Sequence, residues 1–136
     1  MNNFHYFGLF LDTNTKNKLM NILTDNIDYN IALNVADKIF IDHCTLLHVL
    51  HGNSEVFNDL NNRLGDNIQI KIEGIGISDK AMAFKVALPR NVYSINKNPH
   101  ITICTFNGGK PVESNNITKW FLLEEPIQVK TTLKKI

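Results

Sequence analysis

The sequence predicts an α+β domain in which helices pack outside antiparallel sheets, and three observations lead there. Strand-like and helix-like runs alternate only through the first half, β-α-β-α, after which the chain reads as strands with one short helix. Residues 67–78, "NIQIKIEGIGIS", set Ile68, Ile70 and Ile72 between polar neighbours, the period-two pattern of a half-buried antiparallel strand. The 136 residues are 43% hydrophobic and contain no linker or low-complexity tract, which fits a single domain over 1–136 with one shared core.

Each element has its own signal. Residues 4–12, "FHYFGLFLD", are apolar and aromatic and read as a buried strand. "TNTKNKLMNILTDN" follows as a helix, with Thr13 or Thr15 as N-cap and Leu19, Ile22 and Leu23 on one face. The segment from Ile27 to Val35 is ambiguous in pattern. "KIFIDHCTLLHVLH" reads as one strand, ended by Gly52-Asn53. Ser54 is expected to cap a second helix, in which Val56, Phe57, Leu60 and Leu64 recur at helical spacing before Gly65. A turn at Ser78-Asp79-Lys80 leads from the Ile-rich strand into "AMAFKVALP", its hairpin partner. "PHITICTF" is a further strand, "NGGKPVES" a loop, and "SNNITKWFL" a short helix capped by Ser114; "PIQVKTTLKKI" is the last strand. Gly74 and Gly76 lack the third glycine and the helix of a dinucleotide fingerprint and point instead to a bulge.

One polar pair recurs inside these apolar runs: His43-Cys44-Thr45 and His100-Ile101-Thr102. Residues two apart on a strand share a face at roughly 7 Å. His43 and Thr45 therefore point together, as do His100 and Thr102, while Ile101 and Ile103 anchor the reverse side. Two such strands side by side bring two imidazoles and two hydroxyls into one groove. That set suits phosphodiester cleavage without a metal. A neutral His takes a proton from the attacking water or ribose hydroxyl, and a protonated His delivers one to the leaving oxygen. The Thr hydroxyls donate to the non-bridging phosphate oxygens. The competing reading is two unrelated strand histidines, since two chance copies would arise in roughly a few per cent of such chains. The shared strand context, in opposite halves of the chain, favours the paired site.

Other residues are weaker candidates. His48 and His51 form an H-x4-H-x2-H series with His43, but a strand scatters these over both faces, so no metal site is expected and His48 reads as structural. His5 reads as a packed strand residue beside Tyr6. Cys44 and Cys104 lack basic partners and read as small buried hydrophobes. A nucleotide base needs an aromatic platform, for which Tyr6, Phe7, Phe84, Phe106 and Trp120 are candidates and Tyr6, Phe84 and Phe106 the substrate-binding choices, although most of the eight Phe must be core. Lys110, in the loop beside the second motif, and Ser114 are candidates to meet phosphate, with Lys85 and Arg90 as further cations.

A net charge of +1 argues against a grip on long nucleic acid through many phosphates. No apolar run approaches the roughly 20 residues of a membrane span. "MNNFHYFGLFLD" lacks a basic leader, and two cysteines without a signal sequence suggest reduced thiols in the cytoplasm. Residue usage rich in Asn, Ile and Lys and poor in Arg is that of an AT-rich genome, bacterial, protist or viral.

The two motifs resemble those of the 2H phosphoesterases, named for two His-x-Thr/Ser motifs. The tail "HITICTFNGGKPVESNNI", with Pro111, Val112 and Ser114 after the second motif, looks most like the branch holding 2′,3′-cyclic nucleotide phosphodiesterases and the cyclic phosphodiesterase domains of tRNA ligases. The resemblance implies a LigT-like fold of two lobes about a pseudo-twofold axis, each lobe giving one motif strand to a central cleft. It implies His43, Thr45, His100 and Thr102 as the catalytic quartet, with no cofactor and no metal. The substrate implied is a small nucleotide or RNA end: a 2′,3′-cyclic phosphate, a 2′-5′ linkage, or a cyclic dinucleotide such as cGAMP. RNA processing is one setting; immune evasion by a viral member in the host cytosol is another. The chain is expected to act as a monomer. The alternative is a binding module that holds a nucleotide in the same cleft without turnover.

Overall fold

The computed structural model describes residues 6–48 and 54–136. His5, His51 and the expected Gly52-Asn53 turn lie outside the described residues. Strand β1 (Tyr6–Phe10) leads into helix α1 (Thr13–Thr24), which buries Leu19 and Leu23 and leaves Ile22 at the edge of the core. The cap is Asp12 rather than Thr13 or Thr15: its carboxylate accepts the Thr15 N–H at 2.7 Å, and an ionised group suits the positive helix end better than a hydroxyl does. The ambiguous segment is helix α2 (Ile27–Val35), capped by Asn26, whose Oδ1 accepts from the Asp28 and Tyr29 N–H groups. Its ambiguity has a physical source. Ile27, Ile31 and Val35 recur at helical spacing yet are exposed, and only Leu33 is buried, so the apolar pattern marks no core face.

The run expected as one strand is broken into β2 (Lys38–Ile39) and β3 (His43–His48). Between them Ile41 takes φ 52°, a conformation a β-branched side chain rarely adopts. Ile41 is fully buried, and its N–H donates to the Thr102 carbonyl at 2.9 Å, so packing and pairing hold the kink. Helix α3 (Ser54–Asn62) buries Leu60. Strands β4 (Asn67–Ile77) and β5 (Ala81–Ala87) form the expected hairpin, with Ile68, Ile70 and Ile72 inward and a bulge at Glu73, beside Gly74. Strand β6 (His100–Thr105) carries the second motif.

The last helix departs from expectation. A 3-10 helix spans Pro111–Asn116 after Lys110, so Ser114 lies inside it and does not cap it. Strand β7 (Trp120–Lys135) starts where the sequence suggests helix. Its partner β4 explains this, because Gly76 stands opposite Trp120. A Cβ at Gly76 would lie 2.5 Å from the indole and 2.6 Å from Ile117, so the bare backbone makes room for that ring.

The described strands form one antiparallel sheet in the order β2-β6-β3-β1-β7-β4-β5. Strand β5 also pairs with β6, which closes the sheet on itself like a barrel where separate sheets are expected. Strands β2 and β3 run end to end along one side of β6 and β5 along the other. Phe7, Leu9, Leu46, Ile72, Phe84 and Ile101 are fully buried at the centre of the core. Among the described residues no helix is long and apolar enough to cross a membrane.

Candidate active site

The two motif strands are direct neighbours, with Cys44 opposite Ile101. That pair is fully buried in the core. Alternation then turns the flanking residues His43, Thr45, His100 and Thr102 to the other face. All four line one cavity of about 310 Å³. Both strands share an irregularity. Strand β3 carries an extra residue, Leu46, against β1, and β6 carries an extra residue, Ile103, against β5. In each case the bulged residue follows the motif Thr directly and points its apolar side chain to the core.

Each imidazole is oriented by its surroundings. His100 Nδ1 lies 2.9 Å from the Asn98 carbonyl, which can only accept, so Nδ1 carries the proton and Nε2 is the nitrogen left for chemistry. His43 Nε2 lies 3.2 Å from Thr45 Oγ1. Its ring packs against Tyr6 and Phe10, with centroids at 5.0 and 4.9 Å and planes within 25°. Gly8 lies between those two aromatics on β1, and a Cβ there would approach the Phe10 ring to 3.1 Å. Thr102 Oγ1 sits 2.9 Å from Ser114 Oγ and 3.4 Å from the Pro111 carbonyl.

Burial holds both imidazoles below the ordinary histidine range. For His43 the desolvation outweighs the upward pull of Asp42, and His100 and His48 add to the depression; for His100 the Asn98 carbonyl offsets it in part. Asp42 also lines the cavity and is held by Lys16 at 3.1 Å. Burial raises the Tyr6 phenol, with Asp42 adding to it. Cys44 and Cys104 are free, buried thiols, pushed up by burial to about 12 and about 11, which suits inert core residues. Among the described residues, no three His, Cys, Asp or Glu side chains are grouped to hold a metal ion.

Of the further candidates, Tyr6 lines the cavity. Phe84 and Phe106 do not: both belong to the core, Phe84 fully buried and Phe106 8% exposed. Aromatic identity alone does not reveal which face of a strand a ring takes. Lys110 is exposed just before Pro111, at the cavity's edge, and Lys85 faces Glu73 at 3.7 Å. Ser114 is buried behind Thr102 rather than open to a ligand. Sequence reasoning missed Asp42, Asn96 and Asn115 on the cavity wall, and assigned His48 a structural role although it lines the cavity too. The Leu46 bulge sends two successive leucines to the core and so brings His48 back to the face of His43 and Thr45. Counting by twos cannot detect that.

Two imidazoles and two hydroxyls around one cavity are the kinds of group that acid–base cleavage of a phosphodiester calls on. The sequence matches the model of the fungal tRNA ligase phosphodiesterase domain over residues 47–136, a segment that begins just after the first motif and contains the second. The chain belongs to that family, whose members are phosphodiesterases. No curated protein matches the chain. Among solved structures, that of a fungal RNA kinase superposes with a TM-score of 0.67 at 18% identity, over 97% of this chain and 45% of that one. That likeness shows a shared fold, and the present chain spans just under half of the longer protein.

Proposed function

We propose that the protein is a metal-independent phosphodiesterase that opens a 2′,3′-cyclic phosphate at the end of an RNA. The observation that carries this reading is the meeting of His43, Thr45, His100 and Thr102 on one cavity, each histidine braced by a neighbour. The family supplies the substrate class. Water attacks phosphorus and gives its proton to a neutral imidazole, while the other, protonated, delivers its proton to the ribose oxygen as the P–O bond breaks. Thr45 and Thr102 donate to the non-bridging oxygens as their charge grows.

The depressed histidines fit this scheme. In the free protein both rings are held toward neutrality, and a phosphate anion bound between them raises their proton affinity. Substrate binding therefore generates the acid where it is needed. A 2′-5′ oligoadenylate or cGAMP would call on the same quartet, so the test is a panel containing 2′,3′-cyclic mononucleotides, a short RNA with a cyclic end, 2′-5′ oligoadenylate and cGAMP, in EDTA. Opening of the cyclic phosphate is the expected result, with His43→Ala and His100→Ala each losing about 10²–10⁴ in rate. Ligand binding by the wild type without turnover of any panel member would instead make the cleft a binding module.

A further inference from the structure

We infer that the surface between the catalytic cavity and the end of β5 is a track for the two or three RNA nucleotides that precede the cyclic end. This rests on the phosphodiesterase reading and adds a substrate subsite to it. The cavity, at about 310 Å³, has room for little more than one nucleotide, so the rest of an RNA must leave through its rim. Asn96 stands on that rim and is also a wall of a second depression of about 540 Å³. Leu88, Pro89 and Arg90 are in turn shared with a third, of about 510 Å³, which adds Lys71.

The chemistry along this path is that of a single-strand binder. Tyr93 presents its ring to solvent at 52% exposure, and Lys97, Arg90 and Lys71 succeed one another along the walls. An open aromatic platform with spaced cations accepts any base and follows the backbone. Glu55 and Asp59 also line the middle depression, and Arg63 engages Asp59 at 3.2 Å.

The loop carrying Tyr93 and Lys97 is fixed to the catalytic strand. Ile95 N–H donates to the carbonyl of the bulged Leu46 at 2.8 Å, and Ser94 Oγ donates to the Thr45 carbonyl at 3.1 Å. Arg63 donates to the Asn91 carbonyl at 2.8 Å, and Val92 is buried. A base on Tyr93 would thus be held in constant relation to the motif threonine. A net charge of +1 is no obstacle, because the track needs only three local cations.

The test compares kcat/KM on a 2′,3′-cyclic mononucleotide with that on a tetranucleotide ending in the cyclic phosphate. The wild type should favour the tetranucleotide by roughly tenfold or more, and Tyr93→Ala should erase most of that preference. Activity on the mononucleotide should be untouched, which also certifies the fold. Lys97→Ala and Arg90→Ala should each flatten the salt dependence of tetranucleotide binding by about 0.7 in log–log slope. Equal use of both substrates by the wild type, or equal losses on both in Tyr93→Ala, overturns the track while leaving the phosphodiesterase intact. Failure to open even the mononucleotide instead counts against the phosphodiesterase. Anisotropy with a labelled tetranucleotide 3′-phosphate then judges the track alone: unchanged affinity in the three variants refutes it, and weakened affinity supports it.

Discussion

Replacing Ser114 with Ala tests whether a residue outside the motifs sets the direction of the Thr102 hydroxyl, which the proposed mechanism turns to phosphate. Thr102 has one proton to give. It can go to the Pro111 carbonyl, 3.4 Å away and barely within reach, or to a substrate phosphate. Ser114 Oγ, at 2.9 Å and almost fully buried, is well placed to donate into Thr102 and leave that proton for the phosphate. Without it, the Thr102 hydroxyl is free to turn toward Pro111. A hydrogen bond to a charged acceptor contributes about 1.5–3 kcal/mol. Partial loss through misdirection should cost roughly tenfold in kcat/KM for the cyclic phosphate, against about 10²–10³ for Thr102→Ala, which removes the donor itself. Loss of a buried hydroxyl should also cost about 1 kcal/mol of stability, a modest fall in Tm. The decisive assay is the double-mutant cycle. If Ser114 acts through Thr102, Ser114→Ala costs nothing further in a Thr102→Ala background. An undiminished tenfold loss in that background would refute the reasoning.

The remaining predictions follow from burial and space. His43 and His100 titrate below their unfolded value, so the unfolded chain binds more protons below about pH 6.5 and stability should fall as pH drops from 7 towards 5; thermal melts across that window should show the slope, reduced in His100→Asn. Gly76→Ala places a methyl 2.5 Å from the Trp120 ring and should destabilise by about 1–3 kcal/mol, read by urea denaturation. The Cys44 and Cys104 thiols, at about 12 and about 11, should resist iodoacetamide in the native protein at pH 8 and react once it is unfolded.

How far the chain could be read depended on whether its information was local. The Ile68–Ile70–Ile72 alternation and the Ser78–Lys80 turn specify the β4–β5 hairpin within twenty residues, and the structure has it. The two His-x-Thr pairs were equally legible, since parity on a strand decides which side chains point together. The kink at Ile41 was not, because nothing in "KIFIDH" announces a positive φ on a β-branched residue held by its pairing to β6. Trp120 looked helical until β4 supplied a glycine opposite it. Ser114 carries a capping residue's chemistry, and only the fold turns its hydroxyl toward Thr102. Phe84 and Tyr6 are both aromatic strand residues, and burial by distant partners made one core and the other cavity wall.

Strand β1 lies between β3, which holds the first motif, and β7, the last strand in the sequence. Phe7 is opposite Lys135, and Tyr6 and Ile136 exchange both backbone hydrogen bonds, at 3.0 and 2.9 Å. The aromatic backing of His43 is thus clasped by segments synthesised well over a hundred residues apart. A nascent chain that has emerged only as far as the second motif holds both His-x-Thr pairs yet still lacks β7, the strand between β1 and β4. Such a topology pays its loop entropy late, and the aromatic backing of His43 stays unclasped on that side until β7 has emerged.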